Sequence, residues 1–211
     1  PESRQIKAGR MAPKSVGSAD RREIRSGRNQ TMNPRNTELE SKLEIPGRVT
    51  FQDGRGDLPT VEVNTARSKA EIFLHGAHIT HFQKKGDLPL LFLSRTSRFV
   101  EGQPIRGGIP LILPWFGARE GMQMHGFARN KSWDLKEIRT SPDGSVSLRF
   151  RLPDCPEASS FPPFTADYVV NVSDILTLQL VVTNNSTDAD FTCENCLHTY
   201  FAVADISAVS V

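Results

Sequence analysis

The chain has 211 residues, of which 37% are hydrophobic and 24% charged, and this composition fits one large globular domain or two small ones. No apolar run approaches the ~20 residues of a membrane-spanning helix, and three cysteines are too few for a disulfide framework. The net charge of +2 at pH 7 hides an uneven distribution. Residues 1–36 hold nine Lys or Arg and three Asp or Glu, so the rest of the chain is net −4.

Residues 1–36 form the first predicted segment, a basic leader with a net charge of +6. It lacks apolar periodicity and interleaved aromatic residues, so we predict a disordered leader that binds no nucleic acid. The single predicted domain then covers residues 37–211. Because no signal peptide is visible and cysteines are scarce, we expect a cytoplasmic protein with no membrane partner.

Short strands are predicted along most of the domain, because apolar and polar residues alternate within each segment as they do in half-buried strands. Only two residues separate the segments 164–172 and 175–183, which predicts a hairpin. There is no long helix and no alternation of helices with strands, which favours an all-β sandwich. The predicted strands span residues 49–53, 59–64, 69–82, 88–93, 133–139, 146–152, 164–172, 175–183, 191–203 and 206–211.

Two groups of residues have spacings that invite a metal or redox interpretation. His75 and His81 would lie about 20 Å apart in a strand at ~3.3 Å per residue, and His78 would point to the other face. Three zinc ligands must instead converge on one ion. Cys193 and Cys196 have the spacing of a redox pair, but their surroundings are strand-like rather than a helix N-terminus. We therefore predict no metal site. We interpret the histidine stretch as a strand that enters a turn, with Gly76 for close packing, and the cysteines as small buried packing residues.

Residues 105–129, IRGGIPLILPWFGAREGMQMHGFAR, concentrate Gly, Pro, Arg, Trp and His around one short apolar run. Glycine permits positive φ and close backbone approach, proline fixes φ, and the planar Arg guanidinium matches a phosphate or carboxylate. In an extended segment, His125 and Arg129 would project to the same side. Together with Arg106, they are a candidate clamp for a sugar or a phosphate.

His198 lies in the segment CLHTYF, residues 196–201, where an extended strand would place it on the same face as Tyr200. A single histidine in a strand more often makes a structural hydrogen bond than it catalyses a reaction. Two histidines, two arginines and a tyrosine taken together favour acid–base chemistry, which needs a group that titrates near the working pH.

Six motifs, in chain order, resemble the D-hexose-6-phosphate mutarotases, the glucose-6-phosphate 1-epimerases related to aldose 1-epimerase (galactose mutarotase). The resemblance covers about residues 44–211. It implies an antiparallel β-supersandwich of the galactose mutarotase type, truncated at its C-terminus in this chain. It also implies an isomerase that interconverts the α and β anomers of a small-molecule hexose 6-phosphate with no metal and no organic cofactor; we expect a monomer. The motifs are HGAH (75–78), LFLS (91–94), PIRGGIP (104–110), PWFG (114–117), HGFAR (125–129) and LHTYF (197–201).

The same resemblance implies roles for four residues. His198 is the general acid that protonates the ring oxygen as the sugar ring opens, and His125 helps to hold the substrate near that oxygen. Arg106 and Arg129 are associated with the phosphate. The general base of the family is a Glu that we expect beyond residue 211, so we predict that the fragment alone is inactive or barely active.

One departure from the family and two alternative functions remain. Trp115 stands where many relatives have Gln, so we expect a polar contact to the substrate to be lost there. A native protein without the catalytic Glu would favour a non-catalytic carbohydrate-binding β-sandwich. A third possibility is an aldose 1-epimerase that acts on unphosphorylated sugar.

Overall fold

Two four-stranded antiparallel sheets make up most of the protein in the computed structural model, which describes residues 42–210. In both sheets the strands lie side by side in chain order, so each sheet is a meander of hairpin-connected strands. The first sheet contains β1 (Val49–Asp53), β2 (Pro59–Asn64), β3 (Ser68–Phe73) and β4 (His78–Lys84). The second contains β6 (Asp134–Thr140), β7 (Val146–Arg151), β8 (Phe164–Val172) and β9 (Leu176–Asn184).

A third, two-stranded ladder joins the segments that carry the predicted site residues. Strand β5 (Leu111–Ile112) pairs antiparallel with β10 (Cys196–Leu197), and β10 directly precedes His198. Short 3-10 turns complete the named elements of residues 42–210, at Arg55–Asp57, Ala128–Asn130, Pro156–Ser160 and Ile206–Ala208.

One hydrophobic core holds buried side chains from both four-stranded sheets. In β7 and β8 every second residue is buried, which is the period of two that a strand produces when one face packs on a core. Val61, Val63 and Ile72 of the first sheet belong to the same cluster. The prediction of an all-β fold is therefore confirmed. The buried residues of the second sheet are Leu135, Val146, Leu148, Phe150, Ala166, Tyr168, Val170 and Val172.

The edge strand β9 is less well covered than its neighbour β8. Its inward-facing side chains pack against the core but remain only partly buried, whereas their direct partners on β8 are fully buried. Within residues 42–210, β9 pairs with one strand only. The second sheet therefore ends in a half-covered apolar strip, made of Leu176, Leu178, Leu180 and Val182.

Most predicted strands are confirmed, including the hairpin at residues 173–174. Residues 69–82 hold two strands, β3 and β4, joined by a turn in which Gly76 and Ala77 have φ of 76° and 43°, so the turn predicted at Gly76 is confirmed. The strand predicted at 191–203 is limited to Cys196–Leu197 and an isolated bridge at Phe201.

Two further predictions fail near the surface. Residues 206–211 were expected to begin a strand, but Ile206–Ala208 form a 3-10 turn. The run at 88–93 is not a buried strand, since Leu88 is 87% exposed and only Leu91 is fully packed. The leader predicted at residues 1–36 lies outside the described residues, as do residues 37–41. In the described part of the chain, no helix has the length and apolarity needed to cross a membrane.

Candidate active site

The floor of the candidate active site is the backbone of residues 106–114, which forms hydrogen bonds on both sides. On one side, the Gly108 N–H donates to the carbonyl of Phe92 at 2.7 Å. On the other, the His198 and Tyr200 N–H groups donate to the carbonyls of Pro110 and Gly108, at 3.0 and 2.9 Å. Because His198 and Tyr200 are two residues apart, their side chains share a face, and their ring centroids lie 5.0 Å apart.

Two glycines allow this floor to lie between its neighbours. Gly107 and Gly108 have φ of 101° and 64°, a region that L side chains rarely adopt. A Cβ at Gly107 would lie 2.5 Å from the carbonyl oxygen of Phe92, and one at Gly108 would lie 2.3 Å from that of Ile79. Only glycine therefore satisfies both the backbone conformation and the close approach.

Two buried histidines hydrogen bond to backbone carbonyls of the floor and of the segment just before it. The Nε2 of His78 lies 2.8 Å from the carbonyl oxygen of Gly107, and His75 contacts the carbonyl of Gln103 at the same distance. A carbonyl only accepts, so Nε2–H is the donor in each pair. Burial lowers the pKa of His78 to about 4, and it also lowers the pKa of His75. No group of three or more His, Cys, Asp or Glu within residues 42–210 is placed to hold a metal ion.

The turn that carries His125 docks on the far end of the floor. Gly126 has φ of 66°, and a Cβ there would lie 2.0 Å from the carbonyl oxygen of Leu113. His125 itself has φ of 65°, an uncommon conformation for a residue with a side chain. Its N–H donates to the carbonyl of Gly117 at 2.8 Å, and the Gly117 N–H donates to Nδ1 of His125 at 2.9 Å.

The hydrogen bond from the Gly117 N–H to Nδ1 fixes the tautomer of the His125 ring. A backbone N–H can only donate, so Nδ1 holds a lone pair and the proton of the neutral ring sits on Nε2. Partial burial lowers the pKa of His125, and the charges of Arg129, His198 and Arg106 lower it further. At neutral pH the ring is therefore an uncharged group that offers one N–H donor from Nε2.

Arg129 is a buried cation with unused hydrogen-bonding capacity. It lies in the 3-10 turn Ala128–Asn130, where only 8% of its surface is exposed. Its Nη2 donates to the carbonyl of Met124 at 2.7 Å, while its Nε has no partner among the described residues. Burial lowers the pKa of Arg129, and the charge of Arg106 adds to the effect. A buried guanidinium with a free donor is a strong attractor for an anion.

The structure brings the four predicted site residues together. The ring centroids of His125 and His198 lie 6.1 Å apart, and the charges of Arg106 and Arg129 both act on the pKa of His125. The Arg106 side chain is exposed, and the backbone N–H of Arg106 donates to Oγ of Ser97 at 2.8 Å. The extended segment predicted between His125 and Arg129 is wrong, because a left-handed residue and a 3-10 turn replace it. The two side chains converge through that turn.

Sequence reasoning missed Phe116, the neighbour of the buried Trp115. The Phe116 ring is 49% exposed and lies 4.7 Å from His125 and 6.3 Å from His198 between ring centroids. Trp115 is 2% exposed, and its Nε1–H donates to the carbonyl of Gln123 at 3.1 Å. This side chain therefore belongs to the core, and the loss of a polar substrate contact at Trp115 stays a prediction. The adjacent aromatic residues Trp115 and Phe116 were the available signal. Two neighbouring residues in extended backbone point to opposite faces, so when one is buried in the core the other is exposed.

A separate cavity of about 360 Å³ lies over the first sheet. Its lining mixes cations and carboxylates, with Lys69 beside Glu71 and with His81 from the next strand. None of the four predicted site residues lines it, so the cavity is not part of the candidate active site.

Comparison with known proteins establishes the family. A family model described as aldose 1-epimerase matches residues 59–211, and the chain belongs to this family. A relative from Escherichia coli (strain K12), named "Putative glucose-6-phosphate 1-epimerase", is 36% identical over 157 residues; the match covers 74% of this chain and 52% of the relative. A relative of the same name from Cenchrus ciliaris is 34% identical, with 67% and 46% covered. The chain thus spans about half the length of the curated relatives it matches.

Solved structures show the same fold. A structure titled as a putative mutarotase (YeaD) from Salmonella typhimurium superposes with a TM-score of 0.69 at 30% identity, covering 78% of this chain and 55% of that one. A galactose mutarotase-like protein from Clostridium acetobutylicum has a TM-score of 0.51 at 12% identity, over 64% and 48% of the two chains. The architecture is therefore an antiparallel β-sandwich of the galactose mutarotase type, as the sequence predicted.

Proposed function

We propose that the protein is a hexose-6-phosphate 1-epimerase, an isomerase that interconverts the α and β anomers of the sugar by acid–base ring opening. The observation that carries this proposal is the convergence of His125, His198, Arg106 and Arg129 beside one floor. Membership of the aldose 1-epimerase family supports an epimerase, and the names of the curated relatives support a phosphorylated substrate.

The two arginines are the proposed phosphate site. Burial lowers the pKa of Arg129 and the like charge of Arg106 lowers it further, so in the absence of an anion their proximity costs free energy. A phosphate dianion would remove this repulsion and use the unpartnered Nε of Arg129. Binding the phosphate there would anchor one end of the sugar and orient its ring oxygen and C1 toward the histidines.

His198 is the proposed general acid. Neither of its ring nitrogens hydrogen bonds to another group among residues 42–210, whereas its backbone is tied to the floor. Its ring is therefore held in place while its nitrogens are free for a substrate. In the proposed reaction a proton passes from His198 to the ring oxygen as the C1–O5 bond breaks. The C1 hydroxyl gives its proton to a base, and an open aldehyde forms.

The return steps complete the anomerisation. Rotation about the C1–C2 bond presents the other face of the aldehyde, the ring oxygen attacks C1, and both protons move back. His125 is the proposed positioning donor, because its neutral ring offers only Nε2–H. We propose that the base is a carboxylate of a Glu beyond residue 211, as the family resemblance implies.

The full-length natural protein provides the test. Anomer interconversion of glucose 6-phosphate should be faster than the spontaneous reaction, and unphosphorylated glucose should react much more slowly. Arg106→Ala should raise KM for glucose 6-phosphate by about tenfold or more, because a charge-assisted contact is worth ~1.5–3 kcal/mol. Arg98→Ala, which removes another exposed cation, is the control.

Each alternative has its own outcome in this experiment. Equal rates for phosphorylated and free glucose, with Arg106→Ala without effect, would indicate an aldose 1-epimerase. Sugar binding without any acceleration would indicate a carbohydrate-binding module. Either result would overturn the proposal.

A further inference from the structure

Phe116 is an apolar ring placed among the polar groups of the candidate site. About half of its surface is exposed, and its centroid lies 4.7 Å from the His125 ring. The neighbouring residues on both sides are anchored. Trp115 is buried, with its ring stacked on Phe161 at 6.1 Å, and the Gly117 N–H donates to His125. The Phe116 ring is therefore held at the surface rather than free to fold into the core.

Glu194 links residues 114–117, the loop that contains Phe116, to the segment that leads to His198. Its Oε2 accepts a hydrogen bond from the Phe116 N–H at 2.9 Å, and its own N–H donates to the carbonyl of Pro114 at 3.0 Å. Arg119 approaches the same Oε2 at 4.0 Å, and its guanidinium lies 5.1 Å from the centre of the Trp115 ring. The carboxylate thus links the loop that bears the exposed ring to the segment that leads to the proposed acid.

We propose that Phe116 is a substrate-binding residue whose ring packs against one face of the sugar, and that Glu194 is the positioning residue that holds this ring beside the two histidines. The inference rests on the proposed function and identifies the part of the substrate that contacts the Phe116 ring. A pyranose presents C–H groups on its faces and hydroxyls around its rim. The electron-rich face of an aromatic ring suits the C–H face, and contact removes apolar surface from water on both partners.

This arrangement divides recognition of the substrate between two surfaces. Arg106 and Arg129 would bind the phosphate, while Phe116 would bind the sugar ring. The phosphate alone should therefore bind independently of Phe116, whereas a sugar phosphate should lose affinity when the ring is removed.

The test uses 1-deoxyglucose 6-phosphate, which has no anomeric hydroxyl and cannot be turned over. Its binding to the full-length protein is measured by calorimetry alongside that of inorganic phosphate. Phe116→Ala should weaken binding of the sugar phosphate by about tenfold, the effect of losing a contact of some 50 Å². Affinity for inorganic phosphate should not change. Phe201→Ala, which removes a 60% exposed phenylalanine next to Tyr200 in sequence, should change neither.

Unchanged affinity for 1-deoxyglucose 6-phosphate in Phe116→Ala would overturn the proposal, and so would an equal loss for inorganic phosphate. If Phe116→Ala does not fold, Phe116→Gln carries the same expectation. The binding measurement does not depend on turnover. Failure of the proposed catalysis would show in the rate of the natural protein, and failure of this inference would show in the affinity of the variants.

The positioning role of Glu194 is tested by the KM values of two variants. Glu194→Ala should raise KM for glucose 6-phosphate several-fold, because the Phe116 N–H loses its acceptor and the loop can move. Glu194→Gln keeps an acceptor oxygen and should restore KM to within about twofold of the natural protein. If Gln is as harmful as Ala, the negative charge matters rather than the hydrogen bond, and the positioning role is wrong.

Discussion

At the scale of single residues, the site depends on glycines that no other residue can replace. Gly108 combines a φ of 64° with a position 2.3 Å from the Ile79 carbonyl, measured from the Cβ that a side chain would add. That contact is with backbone, which cannot move aside without disturbing β4. The floor and the first sheet are therefore coupled through this one position.

We expect Gly108→Ala to lower the free energy of unfolding by more than about 2 kcal/mol, because a left-handed conformation and a backbone clash add together. Gly121→Ala is the matched control. Gly121 has φ of 70°, but nothing lies within 4 Å of its added Cβ, so only ~1 kcal/mol is expected. Urea unfolding measures both, and equal effects would contradict the close approach at Gly108.

His78 gives stability a pH dependence. Its folded-state pKa of about 4 lies below the usual 6.5, so the unfolded chain binds the proton more readily. The stabilisation from His78 is therefore present above pH 6.5 and is lost as pH falls toward 4, by about 3 kcal/mol in total.

The measurement compares urea unfolding of the natural protein with that of His78→Gln between pH 7 and pH 4. Glutamine can donate to the Gly107 carbonyl but does not titrate, so the variant should lose less stability on acidification. His81→Gln, which changes a half-buried histidine on the same strand, is the control variant. Identical pH dependence in His78→Gln and the natural protein would show that His78 is not buried as a neutral ring.

At the scale of elements, alternation and turn residues were sufficient to predict most strands and the β8–β9 hairpin. They failed near the C-terminal end, where only Cys196–Leu197 and a bridge at Phe201 are strand-like. The turn between β3 and β4 was predicted at Gly76, and both Gly76 and Ala77 have positive φ there. The turn at Gly76 is closed by tertiary contact, since a Cβ there would lie 2.6 Å from the carbonyl oxygen of Arg129.

The incomplete cover of β9 leads to an element-scale prediction. Val170 of β8 and Leu178 of β9 lie directly opposite each other, but only Val170 is fully buried. Val170→Ala should therefore cost about 2 kcal/mol in unfolding free energy, and Leu178→Ala about 1 kcal/mol, although leucine loses more carbon atoms than valine does. A larger loss for Leu178→Ala in urea unfolding of this chain would show that β9 is covered.

At the scale of the whole molecule, recognition of the site came from ordered motifs and not from charge or composition. The net charge of residues 37–211 is −4, yet two guanidiniums converge beside Tyr200 and the histidines. The roles implied for His198 and Arg106 could be predicted because each lies in a recognisable motif. The neutral tautomer of His125 could not, since it depends on the Gly117 N–H, eight residues away in sequence.

Catalysis by His198 is the central claim, and one measurement tests it most directly. The rate of glucose 6-phosphate anomerisation is compared between the full-length natural protein, His198→Ala and, as a control, His81→Ala in the first sheet. The account predicts that kcat falls by about 100-fold or more in His198→Ala, because a general acid is removed, and stays unchanged in His81→Ala. A folded His198→Ala protein that keeps the natural rate would contradict it.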